Sequence, residues 1–288
     1  MDVGFVGVGA MGAAMAGHVA RAGYTVLAFD MDPAILANAA GEGVTAADSL
    51  AAIATRCEVV VVVVSTDDQS RSVVEALLEA GTREGQVIVI AATNHPLTMI
   101  ELNGACSAEG VGFVDAPVCF GLKGAIDGDL VSLCGGDAQD IMRIEPVLRS
   151  YSRSVEHMGP VGCGQVGKSC NNMMHWAACV ANYETLLLAK ACGIDAQSMR
   201  KTLLKCPAHN TTLERWDSTR FTWHEKDMDM ALDLSQQAGL TLPLFGLVDQ
   251  LVKRLGPDQV KALLYGGEAE YLGQQIKSRN LSDVVSSC

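Results

Sequence analysis

The chain has 288 residues, of which 49% are hydrophobic and 19% charged, so it is long enough for two domains and too apolar to be disordered. Its formal net charge of -12 argues against nucleic acid as a partner, although a local basic pocket would still admit a small anionic substrate. The longest purely apolar run, residues 59–64, is too short to span a membrane, and the N-terminus lacks the basic segment of a signal peptide. We therefore expect a cytoplasmic protein with no membrane partner.

Ten cysteines raise the question of disulfides or a metal site. No Cys-x-x-Cys pair occurs, and the spacing of Cys163, Cys170 and Cys179 differs from that of zinc ligands. Without a secretory signal, the thiols are expected to remain reduced and to act as small apolar side chains. We predict no metal site.

The N-terminal segment follows the order strand, glycine-rich turn, helix, strand and acid. An apolar strand over 3–8 runs into Gly-x-Gly-x-x-Gly at Gly7, Gly9 and Gly12, and the second strand ends on Asp30. Gly7 permits the tight turn, Gly9 lets the backbone approach a pyrophosphate, and Gly12 lets the helix pack closely on the strand. The phosphates of a dinucleotide are expected at the helix N-terminus, where free N–H groups and the helix dipole favour an anion.

Asp30 distinguishes between the two nicotinamide cofactors. A carboxylate at the end of the second strand accepts hydrogen bonds from the adenosine ribose and repels a 2′-phosphate, and the next residues, Met31, Asp32 and Pro33, supply no positive charge. The alternative role for Asp30 is to cap the helix that begins near Pro33, but Asp32 fits that position better. We therefore predict NAD rather than NADP.

Strands and helices continue to alternate and predict a doubly wound α/β sheet. Strands are expected at 58–64, 86–91, 111–114, 130–134 and 155–158. One helix is expected to be capped by Asp67 or Asp68 and to run through Ala80, and another to run from Pro96 to about Glu109. Since ligands bind beyond the carboxyl ends of such strands, we expect the cofactor cleft to be lined by Val64, Ser65, Thr66 and Thr93. Spacing alone leaves open whether Thr93 contacts NAD.

A glycine-rich, otherwise apolar stretch over residues 113–136 has two interpretations. Its backbone N–H groups can fold round a carboxylate as a small nest. It can equally be a turn-rich hairpin at a sheet edge, which needs many glycines in any case.

The second half of the chain predicts helices and almost no strand. They run over 168–191, 195–204, about 227–237, 243–255 and 257–264. We therefore expect a Rossmann-type domain over residues 1–161 and an all-α domain over residues 162–288, which starts with the long interdomain helix. The helices look too apolar to stand alone, which favours a homodimer or homotetramer.

Lys168, Asn172 and His175 lie at i, i+4 and i+7 and therefore share one face of the long helix. Glycines at 162, 164 and 167 are expected to loosen the backbone before it. A lysine and an amide in one stripe can place a proton donor beside a substrate anchor. The alternative is a solvated lysine at the start of a buried helix.

Four sequence blocks together resemble the β-hydroxyacid dehydrogenase family, which includes the 3-hydroxyisobutyrate dehydrogenases and tartronate semialdehyde reductases. They are residues 7–15 for the dinucleotide, 113–136 for the substrate, 162–172 for catalysis, and the C-terminal Lys-Asp block at 226–232. The resemblance covers nearly the whole chain in the family's order. It implies a hydride transfer between NAD and a small β-hydroxy acid or its semialdehyde.

The resemblance also assigns roles to single residues. It makes Lys168 the catalytic lysine, Asn172 a substrate-orienting amide and Lys226 a lysine that closes over the cofactor. His175 is the rival proton donor, but no aspartate is evidently placed to orient it. The cofactor contacts expected from the motifs and the resemblance together are Gly7, Gly9, Ala10, Met11, Gly12, Asp30, Met31, Val64, Ser65, Thr93 and Lys226.

Two departures from the family pattern bear on the substrate. Where the family has Ser-Gly-Gly, this chain has Cys119, Phe120 and Gly121, which removes a hydroxyl and adds a bulky ring where the substrate carboxylate is held; Lys123 is close enough to supply charge instead. The family's Asp-x-Ser-Thr is reduced to a single matching threonine, Thr93. A sulfonate or another anion in place of the carboxylate is therefore a variant of the hypothesis.

Two other functions share this architecture. Imine reductases usually lack the catalytic lysine and prefer NADPH, so Lys168 and Asp30 argue against that reading. A non-catalytic nucleotide-sensing protein would be expected to have lost the lysine or gained a basic appendage, and this chain has done neither.

Overall fold

The computed structural model describes residues 1–41 and 43–279. The chain forms two compact units, Met1–Lys168 and a second unit that begins at Ser169. The domain boundary expected from the sequence lies between residues 161 and 162. The division at Lys168 falls inside a single long helix, α8, Cys163–Ala191, which the two units share.

The N-terminal unit alternates strands and helices. In chain order these are β1 (Asp2–Val6), α1 (Ala10–Arg21), β2 (Thr25–Phe29), α2 (Pro33–Ala39), β3 (Val44–Ala46), α3 (Leu50–Arg56), β4 (Val59–Val62), α4 (Asp67–Glu79), β5 (Val87–Ile90), α5 (Pro96–Ala108), β6 (Gly112–Asp115), β7 (Val118–Cys119), α6 (Gly121–Asp127), β8 (Leu130–Gly136), α7 (Ala138–Leu148) and β9 (Ser152–Gly159).

Nine of these strands form one sheet in the order β3-β2-β1-β4-β5-β6-β8-β7, with β9 paired to β8. The strands from β3 to β6 are all parallel, whereas β8 runs antiparallel to β6 and β7 and parallel to β9. The chain order reverses between β1 and β4, which is the switch point where doubly wound sheets bind ligands beyond their carboxyl ends. The predicted Rossmann-type fold is confirmed.

Helices cover both faces of this sheet. Every residue of β4 and β5 is buried, as their unbroken runs of β-branched residues predict. One face packs Phe5, Met15 and Leu130, and the other packs Ile53 and Met99. Each such side chain contributes about 1.5–3 kcal/mol by leaving water. The sheet is therefore a rigid base for the loops at its carboxyl edge.

Helix α4 begins with a capping box rather than with an aspartate cap. Thr66 Oγ1 accepts the Gln69 N–H at 3.2 Å, and the Gln69 side chain accepts the Thr66 N–H. The prediction that Asp67 or Asp68 caps this helix is wrong by one or two positions. Both aspartates lie in the first turn, where their negative charges interact favourably with the positive end of the helix dipole.

The second unit is built mainly from helices. It contains the remainder of α8, then α9 (Ala196–Leu203), α10 (Thr211–Glu214), a 3₁₀ helix (Trp216–Ser218), α11 (His224–Gln237), α12 (Pro243–Val252), α13 (Pro257–Tyr265), β10 (Glu268–Tyr271) and β11 (Gln274–Lys277). The helices predicted from periodicity are present with ends shifted by a few residues. No helix in the described ranges is long and apolar enough to cross a membrane.

The hairpin β10–β11 was not predicted, so the expected all-α domain is a helical domain with one small antiparallel sheet. Its two-residue turn holds Leu272 at φ 52° and Gly273 at φ 79°. Such turns are recognised in a sequence by Asn-Gly or Asp-Gly, and leucine gives no such signal. The strands are also largely polar; the side chains that reach the core cluster of this unit are Ala269, Tyr271 and Ile276.

Candidate active site

The glycine-rich turn after β1 has the geometry that its sequence predicts. Gly7 has φ +84°, donates to Phe29 O at 2.9 Å, and would bring a Cβ within 2.5 Å of the Val63 carbonyl oxygen. A Cβ on Gly12 would collide with the Gly7 carbonyl. Gly9 caps α1, and a Cβ there would meet no described atom within 4 Å. Packing therefore requires glycine at the first and third positions, and the second faces open space.

Asp30 joins this turn to the end of β2. Its Oδ2 accepts the Val8 N–H at 2.9 Å and its Oδ1 accepts the Asp32 N–H at 3.0 Å. Asp32 caps α2 by accepting the Ala34 N–H at 2.8 Å, which confirms its predicted role. Each carboxylate oxygen of Asp30 has a second lone pair, so a ribose diol still finds acceptors there. The turn and the acid fit the adenosine half of NAD.

Most of the other predicted cofactor residues of this unit lie just after neighbouring strands. Because β1, β4 and β5 are adjacent and parallel, the loops after them meet at one edge of the sheet. Ser65 follows β4 and donates its N–H to Gln69 at 2.9 Å, and half-buried Thr93 follows β5. The remaining positions are Ala10 and Met11 in the first turn of α1, half-buried Val64, and Met31, which is 92% exposed. Lys226 belongs to α11 in the second unit.

The loop with the departures from the family pattern follows β7. Cys119 is buried, and Phe120 and Gly121 have φ 85° and 58°. A left-handed backbone costs a residue with a side chain about 1–2 kcal/mol relative to glycine. The Phe120 ring packs against the core of the unit, with the Arg153 guanidinium 4.2 Å from its centroid. The sequence suggested that this ring occupies the place where the substrate carboxylate is held. In the structure the ring instead packs against the core and Arg153.

Lys123 is not the uncommitted charge that the sequence suggested. Its ammonium lies 2.7 Å from Asp127 Oδ2, one turn further along α6. Both side chains are well exposed, so the pair stabilises the helix by only a few tenths of a kcal/mol. A substrate anion would have to compete with Asp127 for this lysine.

Asp115 was not identified from the sequence, yet it anchors the start of α8. It is fully buried at the end of β6; its Oδ1 accepts the Gly162 N–H at 2.7 Å and its Oδ2 accepts the Gln165 N–H at 2.9 Å. Burial raises the pKa of the Asp115 carboxyl to about 6, although these hydrogen bonds act to lower it. An acid that ends an apolar strand, as Asp30 does, was the available signal.

The glycines of the catalytic block serve close packing rather than flexibility. Helix α8 begins at Cys163 and not at Lys168, so Gly164 and Gly167 are helical. A Cβ on Gly164 would lie 2.7 Å from Asp115 Oδ2 and would collide with the Leu133 carbonyl. Glycine at this position therefore lets the helix start directly against the end of the sheet.

Gln165 connects the same helix start to the loop after β5. Its Oε1 accepts the Asn94 N–H at 3.0 Å, and its Nε2 donates to the Ala92 carbonyl at 2.9 Å. Gln165 is fully buried, and Asn94 in turn accepts a hydrogen bond from Ser70 at 3.0 Å. The residue between the two bonded peptide groups is Thr93.

Lys168 lies one turn beyond Gln165 on α8 and is half-buried. Within the described part of the chain, its ammonium has no hydrogen-bond or ion-pair partner. Asn172 follows one turn later, in the second unit, and accepts a hydrogen bond from Asn171 at 3.0 Å. Helix α8 thus carries both residues on one face, as the spacing predicts.

His175 is engaged in the packing of the second unit. Its Nδ1 lies 2.9 Å from Thr212 Oγ1, and its ring centroid is 4.6 Å from that of Trp176. The Trp176 Nε1 donates to Asp227 at 3.0 Å, which ties α11 to α8. These contacts give the histidine a structural role.

Nine cysteines fall in the described ranges and all are free thiols; Cys288 lies outside those ranges. Burial raises the pKa of Cys57 and of Cys106 to about 12, so both are protonated at neutral pH. Among the described residues, no group of three or more His, Cys, Asp or Glu side chains is arranged to hold a metal ion.

Two family models match the chain. The first is described as the NAD binding domain of 6-phosphogluconate dehydrogenase and covers residues 2–159. The second is described as NAD-binding of NADP-dependent 3-hydroxyisobutyrate dehydrogenase and covers residues 162–263. The first match alone covers more than half of the chain.

Individual relatives cover most of the chain. An uncharacterized oxidoreductase of Shewanella frigidimarina is 31% identical over 86% of this chain and 90% of its own. The NAD-dependent L-serine dehydrogenase of Pseudomonas aeruginosa is 31% identical over 74% and 72%. A solved structure of Mycobacterium tuberculosis 3-hydroxyisobutyrate dehydrogenase with L-serine aligns with a TM-score of 0.81 at 26% identity, over 92% and 98%. The chain belongs to the β-hydroxyacid dehydrogenase family and is an NAD-binding oxidoreductase.

Proposed function

We propose that this protein oxidises a small β-hydroxy acid to its semialdehyde, or catalyses the reverse reduction, with Lys168 as the proton donor and acceptor. The observation that carries the proposal is the ammonium of Lys168, which has no partner among the described residues and lies on a helix whose start is hydrogen-bonded to the Thr93 loop. Two of the relatives are named for L-serine and 3-hydroxyisobutyrate, and both of these acids carry a hydroxyl on the β-carbon. A substrate of this class suits the family match.

Removing hydrogen from an alcohol requires a hydride acceptor and a base for the hydroxyl proton. NAD, when bound, accepts the hydride. A neutral Lys168 Nζ takes the hydroxyl proton during oxidation, and the ammonium returns it to the carbonyl oxygen during reduction. The positive form also stabilises negative charge that develops on this oxygen. Positioned proton transfer of this kind contributes about 10²–10⁴-fold to rate.

The N-terminal unit supplies all but one of the proposed cofactor contacts. First-turn N–H groups of α1, from Gly9 onward, would bind the pyrophosphate, and Asp30 would accept hydrogen bonds from the adenosine ribose. A phosphate on the ribose would meet the Asp30 carboxylate, so NAD is preferred over NADP. Thr93 is proposed to lie on the nicotinamide side, and Lys226 to close over the cofactor.

The acidic group of the substrate is proposed to bind at the loop of Cys119, Phe120 and Gly121, with Asn172 orienting the substrate. Loss of the family's serine hydroxyl leaves this loop suited to a sulfonate or another anion as well as to a carboxylate. We also propose a homodimer or homotetramer. Exposed apolar side chains support it in the second unit, at Met174 and Leu188 of α8 and at Leu244 and Leu247 of α12.

The test is NADH formation, followed by absorbance, with a panel that contains 3-hydroxyisobutyrate, L-serine, other β-hydroxy acids and hydroxysulfonates. Turnover with NAD and at least one member is expected, with NADP about 100-fold less effective because of Asp30. An Asp30→Ser variant should narrow that preference. No turnover with any member, while NADH still binds, would contradict the proposed reaction, and preference for NADP would contradict the role of Asp30.

A further inference from the structure

Gln165 makes two hydrogen bonds that neither hydride nor proton transfer uses. Its amide accepts the Asn94 N–H at 3.0 Å and donates to the Ala92 carbonyl at 2.9 Å, so it pairs with the peptide groups on both sides of Thr93. We propose that Gln165 is a positioning residue that fixes the Thr93 loop against the first turn of α8. It thereby sets the distance between the proposed nicotinamide contact, Thr93, and the proposed proton donor, Lys168, and in this it rests on the proposed function.

The partners fix the orientation of the Gln165 amide. A flipped amide would point Nε2 at the Asn94 N–H and Oε1 at the Ala92 carbonyl, leaving two donors and two acceptors opposed. With Gln165 fully buried, water would not compensate for that arrangement. The side chain therefore has one low-energy state.

The backbone of Gln165 is equally constrained. Its N–H donates to Asp115 Oδ2 at 2.9 Å, and the other oxygen of Asp115 accepts the Gly162 N–H. One residue thus joins three segments of the N-terminal unit: the end of β6, the loop after β5 and the start of α8. All of these contacts lie within Met1–Lys168.

Helix geometry extends this constraint to Lys168. Residues i and i+3 are neighbours on a helix surface, and long side chains lean back toward the N-terminus. Lys168 therefore lies over the turn that Gln165 holds. Hydride and proton transfer need their groups at near-attack distance, and an error of about 1 Å costs about 100-fold in rate. Loss of the clamp should consequently reduce turnover more than cofactor binding.

The chain offers a matched control in Gln86. It is also fully buried, precedes the opposite end of β5, and donates through Nε2 to the Ala54 and Cys57 carbonyls at 2.8 and 2.7 Å. Gln165→Met and Gln86→Met each remove a buried amide of the same size. Both variants should lose comparable stability, because each leaves two backbone groups unpaired.

The expected results separate positioning from stability. In Gln165→Met we expect kcat to fall about 100-fold with the KM for NAD changed less than about threefold, whereas Gln86→Met should keep both. Equal kcat in the two variants, or a loss confined to the KM for NAD, would overturn the inference.

Gln165→Glu supplies a second readout. A protonated glutamic acid has the shape of glutamine and can donate to the Ala92 carbonyl while accepting from Asn94, but the carboxylate cannot donate. Burial beside Asp115 raises the pKa of the new acid, so the ratio of variant to wild-type kcat should rise as pH falls. Taking the ratio removes the pH dependence that the two proteins share. A ratio that stays constant with pH would count against the clamp.

Amide hydrogen exchange distinguishes failure of this inference from failure of the proposed function. Exchange at Asn94 should accelerate in Gln165→Met and stay slow in Gln86→Met, whether or not any tested hydroxy acid is oxidised. Unchanged exchange at Asn94 would overturn the clamp. An inactive wild-type protein with accelerated exchange in the variant would support the clamp and contradict the reaction.

Discussion

Helix α8 carries two lysines in opposite situations. Lys190 is buried in the second unit, where its ammonium donates to the Leu263 carbonyl at 3.1 Å and to the Gly266 carbonyl at 2.6 Å. It thus satisfies carbonyls at the C-terminal end of α13. Lys168 is half-buried and has no such partner among the described residues. An ammonium with satisfied donors stabilises the fold, and one whose donors are unused is available to a ligand.

The two ends of α8 are held by side chains of opposite charge. In the N-terminal unit a carboxylate, Asp115, accepts the first N–H groups of α8. In the second unit Lys190 donates from the helix to a neighbouring element. Asp115 titrates in the acidic range, so the packing at the start of α8 should depend on pH.

The largest expected effect follows substitution of Lys168. In Lys168→Met, kcat should fall about 1000-fold, because the reacting oxygen loses its proton donor and acceptor. The free energy of unfolding should change by less than about 0.5 kcal/mol, since no hydrogen bond or ion pair among the described residues is lost and methionine keeps most of the alkyl stem. Steady-state kinetics and urea unfolding measure the two quantities. An equal loss of activity in Lys190→Met would remove the distinction between the lysines.

Asp115 should give the N-terminal unit a pH-dependent stability. Its carboxyl pKa is raised from 3.8 to about 6, so its contribution is present below the unfolded value and is lost as pH rises through the folded one. Relative to Asp115→Asn, the wild-type free energy of unfolding should fall by about 3 kcal/mol between pH about 4 and about 7.

Urea unfolding at a series of pH values measures this difference. Asp217→Asn is a suitable control, because Arg200 lowers the pKa of Asp217 and its titration lies below this range. A difference between wild type and Asp115→Asn that is constant with pH would mean that Asp115 keeps an ordinary pKa.

Lys190→Met should destabilise the second unit by about 2 kcal/mol, because two backbone carbonyls lose their donor. Turnover per folded molecule should remain that of the wild type. Thermal and urea unfolding report the loss, and Lys277→Met provides a control, since that lysine pairs with Glu268 and both side chains are exposed. If the two variants were equally stable, the hydrogen bonds from Lys190 to these carbonyls would contribute nothing to the free energy of unfolding.

The dinucleotide turn could be predicted because its requirements are local. Gly7, Gly12 and Asp30 lie in one short strand-turn-helix-strand unit, so their spacing carries the geometry. Helix periodicity likewise located α8, α11 and α13. Structural features that depend on only one or two neighbouring elements can therefore be predicted from local sequence patterns.

The network around Gln165 could not be predicted because its partners are distant in the chain. Asp115 lies 50 residues before Gln165 in the sequence, and Asn94 lies 71 residues before it. The same holds for Phe120. Its ring packs against the core of the N-terminal unit and against Arg153, and these contacts come from other parts of the sequence. Such contacts depend on which strands become neighbours in the sheet, and single-residue patterns do not encode that.

The smallest expected effect concerns His175, the rival proton donor on the same helix. An asparagine places its amide where the imidazole Nδ1 lies, so His175→Asn can keep the contact with Thr212. The kcat should change less than about threefold, with a loss of stability of about 1 kcal/mol from the missing ring contact with Trp176. The pH profile of kcat should also be unchanged. A fall in kcat as large as that in Lys168→Met would transfer the proton-donor role to His175, because two groups cannot each account for the whole of one proton transfer.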